Sequence, residues 1–176
     1  MLIDIARFLL DVLGSLMVGL LILRVWIHAI GMPGRNPVVA FVVALTNWAV
    51  QPLHRVLAPR GRIDWASVIA AFLLTLLVVV LIRQLLGGDV SFEFVLLATL
   101  RQFTIWALNV VVWMTIIYAI VSWVNPHAPF APALGMMLRP LLAPIQRVLP
   151  PVGGFDLSPL VLLLAVYVLQ MVVVRV

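Results

Sequence analysis

Four stretches of this chain, residues 8–30, 66–86, 104–124 and 157–174, run almost without charge. Each approaches the roughly 20 apolar residues a helix needs to cross the hydrocarbon of a bilayer. The first is interrupted by Asp11 and Arg24, and the last is the shortest. Composition removes the soluble alternative: 65% of the residues are hydrophobic and 10% are charged, against about 25% charged in a soluble domain. Such a chain cannot cover itself with polar surface, so it is read as an integral membrane protein. The start, Met1-Leu2-Ile3-Asp4-Ile5-Ala6-Arg7, has neither a strongly basic leader nor a small-residue cleavage site after a short apolar core. The first stretch is therefore expected to be a permanent helix and not a signal peptide.

Formal net charge is +5, and every basic residue other than histidine is arginine. On a soluble protein that balance would point to nucleic acid; here no nucleic-acid partner is expected, because the distribution speaks of a membrane. Arg35, Arg55, Arg60, Arg62, Arg139 and Arg147 fall in the two long loops, with Arg24 near the same face. Arg7, Arg83, Arg101 and Arg175 belong to the other face. By the positive-inside rule the long loops are cytoplasmic and both termini outside, with Trp26, Trp65 and Trp123 at span ends on the loop face. The absence of cysteine excludes a disulfide, a thiolate metal site or a thioether haem attachment on this chain. His28, His54 and His127 lack paired ligand spacing, so no metal and no cofactor is expected.

A segment recurs ninety-two positions on. Arg55-Val56-Leu57-Ala58-Pro59-Arg60-Gly61-Arg62-Ile63-Asp64 reads against Arg147-Val148-Leu149-Pro150-Pro151-Val152-Gly153-Gly154-Phe155-Asp156, and at the same offset Pro37 meets Pro129 and Pro52 meets Pro144. An ungapped self-match of this kind points to a duplicated unit. The expected architecture is all-α: four transmembrane helices from two parallel two-helix repeats, with amphipathic or re-entrant segments in the two long loops. Residues 1–86 form the first repeat, 87–103 a connecting loop or surface helix, and 104–176 the second. An even number of crossings per unit gives both the same orientation, unlike the inverted repeats common in transporters.

The loop segments are themselves apolar. Residues 38–50 are nearly continuous hydrophobe, and Asn47, Gln51, His54 and Arg55 follow on one helical face. Arg139, Gln146 and Arg147 match Asn47, His54 and Arg55 in the second copy. Both read as helices in the cytoplasmic interface with arginines toward lipid phosphates, the second kinked or broken by Pro132, Pro140 and Pro144. Phe92, Val95, Leu96, Leu100 and Phe103 recur at helical spacing, as a surface helix or as the start of one long tilted helix. Ser15 with Gly19, Ala66 with Ala70 and Ser67 with Ala71 offer close backbone approach.

Asp64 and Asp156 each stand before a membrane helix, where a carboxylate accepts from free backbone donors and opposes the positive helix end. Ser158-Pro159 fits an N-cap followed by N1, while Gly61, Gly153 and Gly154 supply the turn and Pro59 and Pro150-Pro151 keep the approach extended. A binding alternative pairs Arg55 with Asp64, and Arg147 with Asp156, around a lipid headgroup or a partner chain. Arg24 can snorkel to the interface. Asn109 and Gln170 read as interhelical hydrogen-bond formers. No zinc-protease, phosphate-loop or serine-hydrolase motif occurs, so no catalytic residues are nominated.

The second unit resembles the YggT family, related to the YlmG proteins of other bacteria and plastids. The likeness rests on Ser122-Trp123-Val124-Asn125-Pro126, Arg139-Pro140-Leu141-Leu142-Ala143-Pro144-Ile145, and Pro150-Pro151-Val152-Gly153-Gly154-Phe155-Asp156-Leu157-Ser158-Pro159. The first unit keeps Pro59, Gly61 and Asp64 but loses the second Gly and the Leu-Ser-Pro ending. The resemblance implies a small multi-pass protein of the bacterial inner membrane without an established catalytic site. Its relatives have been linked to membrane organisation, cell division or nucleoid distribution, to cytochrome maturation in plastids, and to ion or osmotic homeostasis. The expected function is a non-catalytic accessory or scaffold protein. Arg55, Arg139 and Arg147 are its candidate contacts to lipid headgroups or to a partner, a membrane protein or a second copy of the chain. The alternative is a component of ion handling that acts as an oligomer or with a partner.

Overall fold

The computed structural model describes residues 1–57, 61–88, 90–125, 128, 130–149 and 156–175. Among them the chain is all-helical: α1 Leu2–Ala29, α2 Pro37–His54, α3 Trp65–Leu85, α4 Phe92–Val124, α5 Ala131–Val148 and α6 Ser158–Arg175. All but α5 are long and apolar enough to cross a membrane. By length and composition α2 thus joins the four stretches expected to span. The chain divides into two compact units, Met1–Ala107 and Leu108–Val176, with α4 contributing to each.

In the first unit α1 packs chiefly against α3. The core is built from Val18, Leu21, Val50, Ala66, Ala70, Ala71, Val78 and Trp106. In lipid, packing and hydrogen bonds drive helix association, and small residues let backbones approach. Ala66, Ser67, Ala70 and Ala71 serve that purpose on α3. On α1 a close approach is made at Gly14: a Cβ there would lie 2.9 Å from Val78 Cγ2 and 3.1 Å from the Trp106 ring. The stripe Val39, Val42, Thr46 and Val50 is the buried face of α2. Asn36 starts that helix by accepting from the Val38 N–H at 2.9 Å, with Pro37 in the first turn, where its missing donor costs nothing.

Two helices end on left-handed glycines. Gly31 (φ 67°) and Gly87 (φ 63°) follow α1 and α3. The Met32 N–H returns to the Ile27 carbonyl and the Gly31 N–H to that of His28; Gly88 and Gly87 close likewise on Arg83 and Gln84. This is the Schellman closure that satisfies terminal carbonyls.

α4 is a single helix of 33 residues, about 50 Å long at 1.5 Å per residue. The apolar spacing at 92–103 is thus its first turns and not a separate surface helix. α5 also runs unbroken through its prolines, which corrects the expected break. Pro140 and Pro144 lie one turn apart on the exposed side, while Ala133, Met137, Leu138 and Leu142 are buried on the other. The missing N–H donors therefore leave carbonyls free only where the helix faces outward. In the second unit Gln170 Nε2 donates to Asn109 Oδ1 at 2.8 Å, joining α6 to α4.

Candidate functional site

Each unit centres its polar groups on an aspartate before a helix. In the first, Asp64 is the N-cap of α3, and only 3% of its surface is exposed. Its Oδ1 accepts from the Ser67 N–H at 3.3 Å and from His54 Nε2 at 2.9 Å, a contact that requires the imidazole proton on Nε2. Its Oδ2 accepts from the Ser67 hydroxyl at 2.6 Å and faces Arg24 Nε at 3.6 Å. Arg24 also donates through Nη1 to Thr46 Oγ1 at 3.0 Å, and Thr46 passes its own proton to the Val42 carbonyl at 2.7 Å. One carboxylate therefore ties α1, α2 and α3 together.

The physical logic is charge compensation. A carboxylate withdrawn from water is strongly penalised unless it is paired and hydrogen-bonded. Burial pushes Asp64 up, but the Ser67 hydroxyl, His54 and the Ser67 N–H outweigh it and hold the acid below its ordinary value of 3.8. The carboxylate is thus ionised at neutral pH and matched by the guanidinium of Arg24. Serine, histidine and aspartate meet here, yet Ser67 gives its proton to Asp64, and the imidazole sits on the other carboxylate oxygen. A nucleophilic relay needs the serine on the base; this arrangement is a capped ion pair.

In the second unit Asp156 Oδ2 accepts from Gln146 Nε2 at 2.7 Å, and Oδ1 from the Ser158 N–H at 2.9 Å. The donors His54 and Gln146 each stand ten residues before their aspartate. Partial burial raises Asp156, and contact with Ser158 and Gln146 brings it below 3.8. Ser158 departs from its expected role as N-cap: it is the first residue of α6, and its hydroxyl is buried without a hydrogen-bond partner among the described residues. It lies near enough to favour the Asp156 carboxylate but outside bonding geometry. Pro159 is the buried second residue of α6. Beside this site the Tyr118 ring lies 3.8 Å from where a Cβ on Gly135 would stand, packing α4 onto α5.

The nominated arginines lie elsewhere. Arg55 is the exposed C-cap of α2, and Arg139 and Arg147 are exposed on α5. Among the described residues none of them pairs with Asp64 or Asp156. Gly61 takes a left-handed φ of 78°; Pro59, Pro151, Gly153 and Gly154 fall outside the described residues. Arg24 does not snorkel: it is 8% exposed and turned inward to Asp64. Arg24, His54 and Ser67 went unrecognised as Asp64 partners, and Thr46 as a partner of Arg24. The readable signal was an arginine inside an apolar span, which needs a counter-charge.

The family model described as CCB3/YggT matches residues 3–85 and 97–176. A Vibrio alginolyticus protein encoded in the proC 3′ region is 37% identical over 159 residues, covering 88% of this chain and 85% of its own. The Escherichia coli K12 protein YggT is 34% identical over 171 residues, covering 96% and 89%. The Pseudomonas aeruginosa protein PA0392 is 33% identical over 180 residues, covering 97% and 88%. No solved structure matches. With both units matched by one model, and relatives aligned along most of their length, the chain belongs to the CCB3/YggT family.

Proposed function

We propose that this chain is a non-catalytic accessory or scaffold protein of the bacterial inner membrane. Its cytoplasmic loop face engages lipid headgroups or a partner, either another membrane protein or a second copy. One observation carries the reading. Both motif aspartates are consumed by internal bonds, whereas Arg55 and Arg147 of the same segments, and Arg139 on α5, are exposed. Outward guanidinium groups are suited to bidentate contact with phosphate or carboxylate.

The topology that goes with it has four crossings, α1, α3, α4 and α6, in two parallel repeats, with both termini outside. Support comes from the first unit. Arg24 near the end of α1 meets Asp64 at the start of α3, which puts those two ends on one face. α2 touches the pair twice, through Thr46 and His54. A helix about 27 Å long with both contacts at that level is suited to lying along the face. The match of one family model to 3–85 and 97–176 supports duplication. Reporter fusions after Gly61, Gly88 and Gly153 test this topology. Gly88 should report the outside and the other two the cytoplasm; Gly88 on the same side as the others would refute it.

The rival reading is ion handling by an oligomer or with a partner, and the buried Arg24–Asp64 pair in the apolar unit favours it. Purified protein in liposomes separates the two. Reproducible ion flux abolished by Arg24→Ala or Asp11→Asn, in protein that still inserts, would replace the scaffold reading. Absence of flux, together with cross-links from the loop face to a defined neighbour in native membranes, would uphold it.

A further inference from the structure

The Schellman turn that ends α1 and the glycine turn that precedes α3 leave an open cleft of about 650 Å³ between them. His28, Gly31, Met32, Gly61 and Arg62 are among its lining residues. Its volume falls in the range of small-molecule sites. Gly31 and Gly61 both hold left-handed φ, and a Cβ on either would meet nothing within 4 Å. The walls are thus partly bare backbone, and the functional groups reaching the opening are an imidazole and a guanidinium, both on exposed residues.

We propose that this cleft is a binding site for the phosphate of an anionic phospholipid headgroup, with Arg62 and His28 as donors. The proposal rests on the reading above that the loop face meets lipid headgroups, and names a site and ligand class for it. Three observations carry it. First, Arg62 is unspent. The acid nearest to it in the chain, Asp64, is already matched by Arg24, and Arg62 makes no ion pair among the described residues. Second, the end of α1 would repel an anion only weakly. A helix C-terminus carries about half a negative charge, and here the Ile27 and His28 carbonyls are turned back onto the Met32 and Gly31 N–H groups. The full charge of Arg62 outweighs what remains. Third, the cleft stands where headgroups would be. Trp65 is more than half exposed just beyond Arg62, as an interfacial tryptophan would be. Below it α3 presents exposed Leu73 and Leu77, apolar surface against which acyl chains can lie. A lipid satisfies both levels at once; a soluble anion satisfies only the upper one.

The test uses the full chain, purified in detergent and titrated with phosphatidylglycerol, phosphatidylcholine or inorganic phosphate, with bound lipid counted by native mass spectrometry. Wild type should retain phosphatidylglycerol over phosphatidylcholine. The double variant His28→Ala/Arg62→Ala should lose roughly tenfold in phosphatidylglycerol affinity, as removal of charged hydrogen bonds predicts. Arg62→Lys should recover part of the loss, and melting temperature should be unchanged. Displacement of the lipid by equimolar inorganic phosphate would overturn the lipid assignment in favour of a soluble anion. Undiminished affinity in the double variant, with loss in Arg139→Ala/Arg147→Ala, would overturn the cleft but leave the broader loop-face reading standing. Undiminished affinity in both would overturn both.

Discussion

The two aspartate sites differ most in the cation. Asp64 and Asp156 share a donor ten residues upstream and a backbone N–H at the start of the following helix. Asp64 is almost wholly buried and has Arg24. Asp156 keeps partial access to solvent and, among the described residues, has neutral donors only. The difference shows what burial demands of a carboxylate. Water can finish the solvation of a half-exposed acid, but a sequestered one needs a counter-charge from the chain. Arg24 is therefore a requirement of the depth of Asp64, and its removal is the harshest way to break the comparison.

Arg24→Ala should destabilise the first unit by about 3–5 kcal/mol, because it leaves a buried carboxylate unpaired. The thermal midpoint in detergent would report it. Arg24→Ala/Asp64→Ala should recover much of the loss, since neither charge then remains alone. If the double variant is no more stable than the single, the pair is not coupled and the charge-compensation account is wrong.

Next in size is acid sensitivity. Both acids titrate below their ordinary value of 3.8 in the folded state. Their stabilisation is complete above that value and is lost as pH falls through the lower folded values. Asp64→Asn removes the charge that Arg24 needs, so it should lower stability at neutral pH and flatten the acid limb. Asp156→Asn should cost only about 1 kcal/mol, the scale of a helix cap, with a smaller change in the limb. Midpoints measured between pH 3 and pH 7 decide this, and equal losses in the two variants would contradict the ranking.

The upstream donors form a finer pair. His54→Ala should cost more than Gln146→Ala, because it strips a bond from the more buried acid and loosens α2 from α3. A loss of about 1–3 kcal/mol against about 1 kcal/mol follows from the hydrogen bonds removed. Proteolysis near α2 provides a readout, with cleavage expected to quicken in His54→Ala.

Much of the fold was readable where periodicity and length are decisive. The apolar stretches became α1, α3, α4 and α6, with ends shifted by a few residues except where α1 and α4 extend their N-terminal sides. Gly31 and Gly87, which close α1 and α3, lie outside the repeated motif whose glycines mark the expected turns. The local signal was present at both, a glycine directly after the apolar periodicity. Unbroken α5 was not readable by counting prolines, since the outcome depends on which side of the helix loses donors. The Asp64 site was half legible. A capping carboxylate follows from position, but its partners come from α1 and α2, and spacing along the chain does not reveal contacts between helices. The binding alternative paired Asp64 with Arg55, which belongs to the same repeated frame, whereas Arg24 lies outside it.

The smallest effect on stability should come from the outward arginines, and that makes them the sharpest probe of function. Arg55, Arg139 and Arg147 make no ion pair among the described residues, and substitutions at such surface positions usually fall within about 0.5 kcal/mol. Arg147→Ala should therefore leave insertion and melting unchanged while weakening lipid retention or the cross-link to a neighbour. Arg55→Ala should do so less, because the first unit has drifted from the pattern that the second keeps. A fall in melting temperature with unchanged neighbours would assign Arg147 to structure. Unchanged melting with lost neighbours would separate it from the inward Arg24, whose work is done inside the fold.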